Sequence, residues 1–281
     1  MGFTPEQILA GIAVHEEDGV WTVVLPRFIR SVSDLVLSVE KAGGRYYVHE
    51  NGCILRHWKE NGIYPYFEEN REALEGMFGF VLADGCLQRG YVREERGFFD
   101  FLKNLIFLIE LPLLQPYLKI EKRYDTEDYR LPGEGTRPEA IPDFGRRIRP
   151  KCPEKDGGHL LLSGISYSDS DTAGSSVFFR EAGDGTVCLE DGETHFPFHR
   201  EALDRALQES GDPAPWEKAI RSVCACYGVK WRDRKILMHA EPDAEHLRDA
   251  CFRFLQAAVL LSEVGEGGML CKTGGGEGNG R

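Results

Sequence analysis

The chain has 281 residues, 42% hydrophobic and 28% charged, with a formal net charge of −12. That balance belongs to a soluble globular protein long enough for two domains, and its acidity disfavours general binding to the nucleic-acid phosphate backbone. The longest apolar run, near residues 101 to 114, contains Lys103, Asn104 and Glu110 and is broken by Pro112, which excludes a bilayer span.

In chain order, Thr4, Pro5 and Gln7 form helix-start chemistry ahead of Ile8, Leu9, Ile12 and Ala13, so a helix is expected over residues 4 to 14. Trp21 to Leu25 is β-rich and stops at Pro26. Leu35 to Val39 and Tyr46 to Val48 flank Ala42-Gly43-Gly44, the signature of a hairpin. Asn51-Gly52 ends that strand, and Ile54, Leu55 and Trp58 have helical spacing up to Asn61-Gly62. Glu69 to Phe78 reads as another helix, with Gly79 where a left-handed cap is wanted. Phe80 to Leu82 and Leu87 to Val92 flank Asp84-Gly85, a second hairpin, and Phe98 to Glu110 is a helix. The first lobe, residues 1 to 111, thus has the order helix, strand, hairpin, helix, hairpin, helix.

Residues 112 to 157 hold half of the chain's 14 prolines among charged residues and read as a connector, packed through Tyr117, Tyr124, Tyr129 and Phe144. From residue 158 the alternation resumes. Strands are expected at Leu160 to Ser163, Val177 to Arg180 and Thr186 to Leu189, with a turn at Gly183-Asp184-Gly185. Helices follow at Arg200 to Glu209 and Trp216 to Tyr227, the latter closed by Gly228. Val229 to Trp231 and Lys235 to His239 form a hairpin around Asp233, and Ala244 to Val264 is the closing helix of a second lobe, 158 to 264. The Gly-rich end, 265 to 281, is expected to be disordered.

The two lobes read as divergent copies. Ala42 to Gly52 aligns without a gap on Ala182 to Gly192, and Gly79, Asp84 and Leu87 fall on Gly228, Asp233 and Ile236 at an offset nine residues larger. The apolar run Phe98, Leu102, Leu105, Ile106, Ile109 falls likewise on Leu247, Cys251, Phe254, Leu255, Ala258. The fold class expected is therefore α+β: two similar tandem lobes, each a small antiparallel sheet of hairpins packed by helices, in a pseudo-twofold arrangement.

The chemistry-bearing motifs are sparse. Lys272-Thr273 follows glycines as in a phosphate loop, but Cys271 stands where the loop's last glycine belongs, and no strand leads in. His195 and His199 near Cys188 have a zinc-like spacing without further ligands, so no metal or other cofactor is expected. A restriction-type nuclease needs an acid-x-lysine triplet on a strand, and Glu40-Lys41 does not supply it. Cys188, Ser163 and His49 show no nucleophile pattern. The best shared polar feature is Glu50-Asn51-Gly52, matched by Glu190-Asp191-Gly192. Its simplest reading is a turn and helix cap, and Glu50, Asn51, Glu190 and Asp191 are the candidate binding residues.

The stretch Pro26 to Gly62, PRFIRSVSDLVLSVEKAGGRYYVHENGCILRHWKENG, resembles a prokaryotic domain-of-unknown-function family of prophage and mobile-element proteins. The shared run is a proline-led strand, a hairpin, a polar turn before a short helix, and later a helix ending in Gly before another hairpin. His49-Glu50 stands where that family usually carries acids. The resemblance implies a setting among phage and defence-related genes. With both lobes acidic, it leads to a non-enzymatic interaction protein that binds a basic protein partner, with a host-defence nuclease as one such partner in an anti-CRISPR-like role. The alternative is a nuclease or nucleotide-processing enzyme whose site is assembled between the lobes. The absence of a leader-like opening and of a disulfide-framework spacing among eight cysteines points to the cytoplasm.

Overall fold

The structure is a computed structural model that describes residues 11–91, 94–116, 118, 120, 122–126, 129–133, 135–166, 174–191, 214–232 and 235–265. It is α+β, with two antiparallel sheets. The first sheet contains β1 (Ala13–Glu17), β2 (Val20–Ile29), β3 (Ser33–Ala42), β4 (Arg45–His49), β5 (Val81–Ala83) and β6 (Cys86–Tyr91), in the order β1-β2-β3-β4-β6-β5. Between β4 and β5 run α1 (Cys53–Glu60), α2 (Tyr64–Glu69) and α3 (Arg71–Phe78), and α4 (Glu94–Ile109) follows β6. Two one-turn helices, α5 (Leu111–Leu114) and α6 (Phe144–Arg147), lie in the connecting segment.

The second sheet contains β7 (Glu154–Lys155), β8 (Gly158–Ser166), β9 (Gly174–Glu181), β10 (Val187–Asp191), β11 (Lys230–Arg232) and β12 (Lys235–Ala240), in the order β11-β12-β10-β9-β8-β7. Helix α7 (Ala214–Tyr227) precedes β11, and α8 (Ala244–Gly265) follows β12. Each sheet is thus a four-strand meander to which a later hairpin adds its second strand. The ladders agree in detail as well. Trp21 pairs with Val39 in the first sheet as His159 pairs with Phe179 in the second. A β-bulge interrupts β2–β3 between Leu25 and Ile29, and another interrupts β8–β9 between Leu162 and Ser166.

Local chemistry accounts for most of these elements. Asp18-Gly19, Gly43-Gly44 and Asp84-Gly85 all have positive φ at both residues, the turn that matches the twist of two-residue hairpins. Arg30 and Ser31, at φ 51° and 57°, make the same kind of turn between β2 and β3 without a glycine. Gly79 and Gly228, at φ 64° and 67°, end α3 and α7 in the left-handed conformation. Pro26 does not end β2. It lies beyond the last β1 partner, Ala13↔Val24, and inside the bulge, where a missing N–H leaves no ladder bond unmade.

Three further expectations change. Ala13 and Val14 belong to β1 and not to a helix, because Asp18-Gly19 folds this segment back onto β2; residues 4–10 lie outside the described set. The expected helix Glu69 to Phe78 starts at Arg71, while Glu69 ends the separate helix α2, which was not expected; Asn70 between them donates its side-chain amide to Tyr66 O at 2.8 Å. The order of elements gains a first hairpin, β1–β2. The expected helix 200 to 209 and the tail 265 to 281 fall outside the described residues, apart from Gly265.

One hydrophobic cluster joins the two sheets. Helix α4 packs on β4 and β6 of its own sheet and on β8 of the other, while α8 packs on β9, β10 and β12 and on β2 of the first sheet. The two helices also touch each other. Buried polar groups pin this arrangement: Trp58 Nε1 donates to Leu108 O at 2.9 Å, and Gln256 Nε2 on α8 donates to Phe28 O on β2 at 2.9 Å. Around Ile141 the connecting segment lies on the first sheet, and its end forms β7 of the second. Trp21 Nε1 donates to Ile141 O at 3.2 Å, and Lys41 bridges to Glu139.

Candidate functional site

The densest convergence of chemically competent groups is around Glu110, between α4 and α5. Its carbonyl caps α5, accepting from Leu113 N at 2.9 Å and Leu114 N at 3.0 Å, while its side chain turns inward and is fully buried. The β2–β3 turn delivers Arg30, which grips the carboxylate with both Nε, at 3.1 Å from Oε1, and Nη2, on Oε2. Tyr227, the last residue of α7, donates its hydroxyl to Oε1 at 2.7 Å, and Cys226 Sγ lies 3.8 Å from Oε2. His57 on α1 stands nearby. Burial, followed by the Arg30 charge, lowers its pKa.

Burial and charge make the thiol and the phenol of this centre harder to ionise. Burial and the Glu110 charge push the Cys226 thiol up to about 11, and the same two causes raise Tyr227 well above the usual phenol range. A nucleophilic cysteine requires the opposite shift, and a general acid or base works best when its pKa is near the operating pH. The arrangement ties the β2–β3 turn, the α4–α5 junction and α7 together as a charged clamp.

A second node lies at Glu50, which is completely buried. Its Oε2 accepts from Ile54 N at 2.7 Å and its Oε1 from Leu87 N at 3.1 Å, so one carboxylate joins the start of α1 to β6. Burial raises its pKa to about 7 against these bonds. Asn51 takes φ 54° and donates Nδ2 to Ser38 Oγ at 3.0 Å and to Val36 O at 3.2 Å. Glu190 sits on β10 and pairs with Arg180 at 3.5 Å, and Asp191 beside it is buried. The four sequence candidates therefore fall into two separate pairs, one on each sheet.

The ladders also shift the sequence match by one residue. Glu50 N bonds to Leu87 O, so Glu50 stands opposite Leu87. In the second sheet Glu190 stands opposite Leu237, which sets Asp191 opposite Ile236. In ladder position Glu50 is therefore matched by Asp191 and not by Glu190, and both are buried acids at a strand end. The cause is the hairpin turn. Ala42↔Arg45 closes over two residues, whereas Ala182 N bonds to Thr186 O over three.

Cys188, on β10, has its pKa raised by burial and by Glu190. Among the described residues no three His, Cys, Asp or Glu side chains converge as a metal site would. His195, His199, Lys272 and Thr273 lie outside the described residues. A cavity of about 50 Å³ between β2, α4 and α8 is lined by Val14, Phe28, Phe99 and Phe252 with Arg149 at its edge, room for a water or two and not for a metabolite.

Motif reading missed Arg30, Glu110 and Tyr227. Glu110 carried a signal, an acid enclosed by Leu108, Ile109, Leu111 and Leu113, where an exposed position would be out of phase with the apolar face. Arg30 and Tyr227 carried none. No protein-family model, curated protein or solved structure matches the chain. Among the described residues no helix is long and apolar enough to cross a membrane.

Proposed function

We propose that the chain is a non-enzymatic interaction protein of a phage or mobile element, and that it binds a basic protein partner, such as a host-defence nuclease, through its acidic surface. The observation that carries this reading is the net charge of −12 together with where the carboxylates are displayed. Glu16, Glu17 and Asp18 are exposed at the tip of the first hairpin, and Glu60, Glu68, Glu69 and Glu72 are exposed along α1 to α3. A partner would meet these groups before the buried Glu50 and Asp191. Steering of this kind raises association rates and fades with ionic strength. Membership of the prophage and mobile-element family rests on the Pro26 to Gly62 pattern.

The same proposal includes an internal duplication with pseudo-twofold symmetry. Its support is the common strand order, the common bulge and the reciprocal packing of α4 on β8 and α8 on β2. The test is a stoichiometric complex with one identified basic partner, weakened by added salt and by reversing Glu60, Glu68, Glu69 and Glu72 to lysine. A complex indifferent to both would overturn the electrostatic reading.

The alternative is an enzyme acting on nucleic acid or nucleotides with a site assembled from both halves. It is favoured by one observation, the meeting of Arg30, Cys226 and Tyr227 around the Glu110 carboxylate, with His57 near enough to feel the Arg30 and Glu110 charges. Incubation with DNA, RNA and cyclic nucleotides in Mg²⁺ or Mn²⁺ tests it. Turnover lost on Glu110→Gln but kept in a fold-matched surface variant would establish it.

A further inference from the structure

Arg89 stands on β6 opposite Val48, only 6% exposed. The rings of Tyr91, Tyr124 and Tyr129 surround its guanidinium, with centroids 4.8, 4.6 and 5.1 Å from Cζ. Such rings compensate the charge through the π-faces, but they do not accept the in-plane N–H groups. Nε and Nη1 are closed to solvent and have no hydrogen-bond partner, and the buried Tyr91 hydroxyl has none either. Burial raises the Tyr91 pKa well above the phenol range, so it remains a donor.

The helix end beside Arg89 does not meet this need. At the close of α3, Gly76 O accepts from Arg123 N and Tyr124 N, Glu75 O from Gly79 N and Phe80 N, and Phe78 O from Asn104 Nδ2. Gly79 lets the group approach closely: a Cβ there would lie 3.1 Å from Arg89 Cζ and 2.8 Å from the Tyr124 ring. Nor does the framework require a cation. At the matching place in the second sheet, opposite Leu189 as Arg89 is opposite Val48, stands Met238, which is 3% exposed. A buried guanidinium with unmet donors is costly where a thioether suffices, so its presence calls for an acceptor.

We propose that Arg89 anchors a binding site for a small oxyanion, a carboxylate or phosphate group, which accepts from Nε, Nη1 and the Tyr91 hydroxyl beneath Tyr124 and Tyr129. The donor set is in-plane and planar-fork, the geometry that oxyanions take from arginine. Overall acidity favours a small anion here over a polyanion. This site is independent of the acidic surface assigned to partner binding.

The test is thermal unfolding of the full chain at constant ionic strength, with inorganic phosphate or sodium acetate replacing chloride, alongside the arginine Nε–H NMR signals. The expected result is a saturable rise in Tm and a saturable shift of one buried Nε–H signal. Response to phosphate alone identifies a phosphoryl ligand, and response to acetate alone a carboxylate. Arg89→Met, which copies the residue of the second sheet, abolishes both effects, and Tyr91→Phe weakens the apparent affinity about tenfold, the loss of one charge-supported hydrogen bond. If neither anion gives a saturable change, or Arg89→Met leaves the response intact, the proposal fails. Should Arg89→Met not fold, the wild-type NMR titration and Tyr91→Phe still decide it.

Discussion

The first sheet and the second share strand order, a bulge between their second and third strands and a left-handed glycine after the helix that precedes the last hairpin, yet they bury different chemistry. Where the second sheet places Met238 and Ala240, the first places Arg89 and Tyr91, and where α7 ends in Cys226 and Tyr227, α3 ends in Met77 and Phe78. Positions that define the framework are alike. Positions that carry buried charge differ, and the differences concentrate at the Glu110 clamp and around Arg89.

The comparison breaks most sharply at the clamp. Arg30→Met leaves the Glu110 carboxylate buried without its cation, and the expected loss is about 3–5 kcal/mol in urea unfolding. A loss below about 1 kcal/mol would mean that the clamp is solvated. Tyr227→Phe, which makes the end of α7 resemble that of α3, should cost about 1–3 kcal/mol, since the lost hydrogen bond has a charged acceptor.

Glu50 sharpens the comparison through pH. Its pKa is about 7 in the folded chain against an ordinary 4.5, so the folded state holds the proton more tightly. The associated stability is fully present below pH 4.5 and is lost as pH rises through 7. At about 1.4 kcal/mol per unit, the span is about 3.5 kcal/mol. The difference in stability between wild type and Glu50→Gln, followed by denaturant midpoints across that range, should show this slope. A flat difference would mean that the carboxylate is ionised throughout.

The smallest expected effect separates the two helix-ending glycines. Gly228→Ala meets nothing closer than Arg253 Nη1 at 3.9 Å and should cost only the left-handed strain, about 1 kcal/mol. Gly79→Ala should cost at least twice as much, because its Cβ would strike the Tyr124 ring at 2.8 Å. Equal costs, measured by thermal unfolding, would show that the Tyr124 strap yields freely.

Much of the framework is legible in the chain itself. Alternation in Leu35 to Val39, the Gly43-Gly44 and Asp84-Gly85 turns and the apolar spacing of Phe98 to Ile109 are local signals, and local signals suffice for hairpins and amphipathic helices. Asp18-Gly19 has the same turn chemistry, and it folds Ala13 to Glu17 back onto β2. The one-residue offset between Glu50 and Asp191 is not legible, because only the ladder reveals which hairpin turn is one residue longer.

Most hairpins and helix ends, and the acidity of both halves, thus come from the chain's local chemistry, since they follow from side-chain shape, backbone freedom and charge within a few residues. Which polar residues are buried together is set by long-range packing. Arg30, Glu110 and Tyr227 are separated by 80 and 117 residues from one contact to the next, and Arg89 meets tyrosines from β6 and from the connecting segment. No local periodicity encodes such meetings, because they arise when two sheets and their crossing helices close on one core.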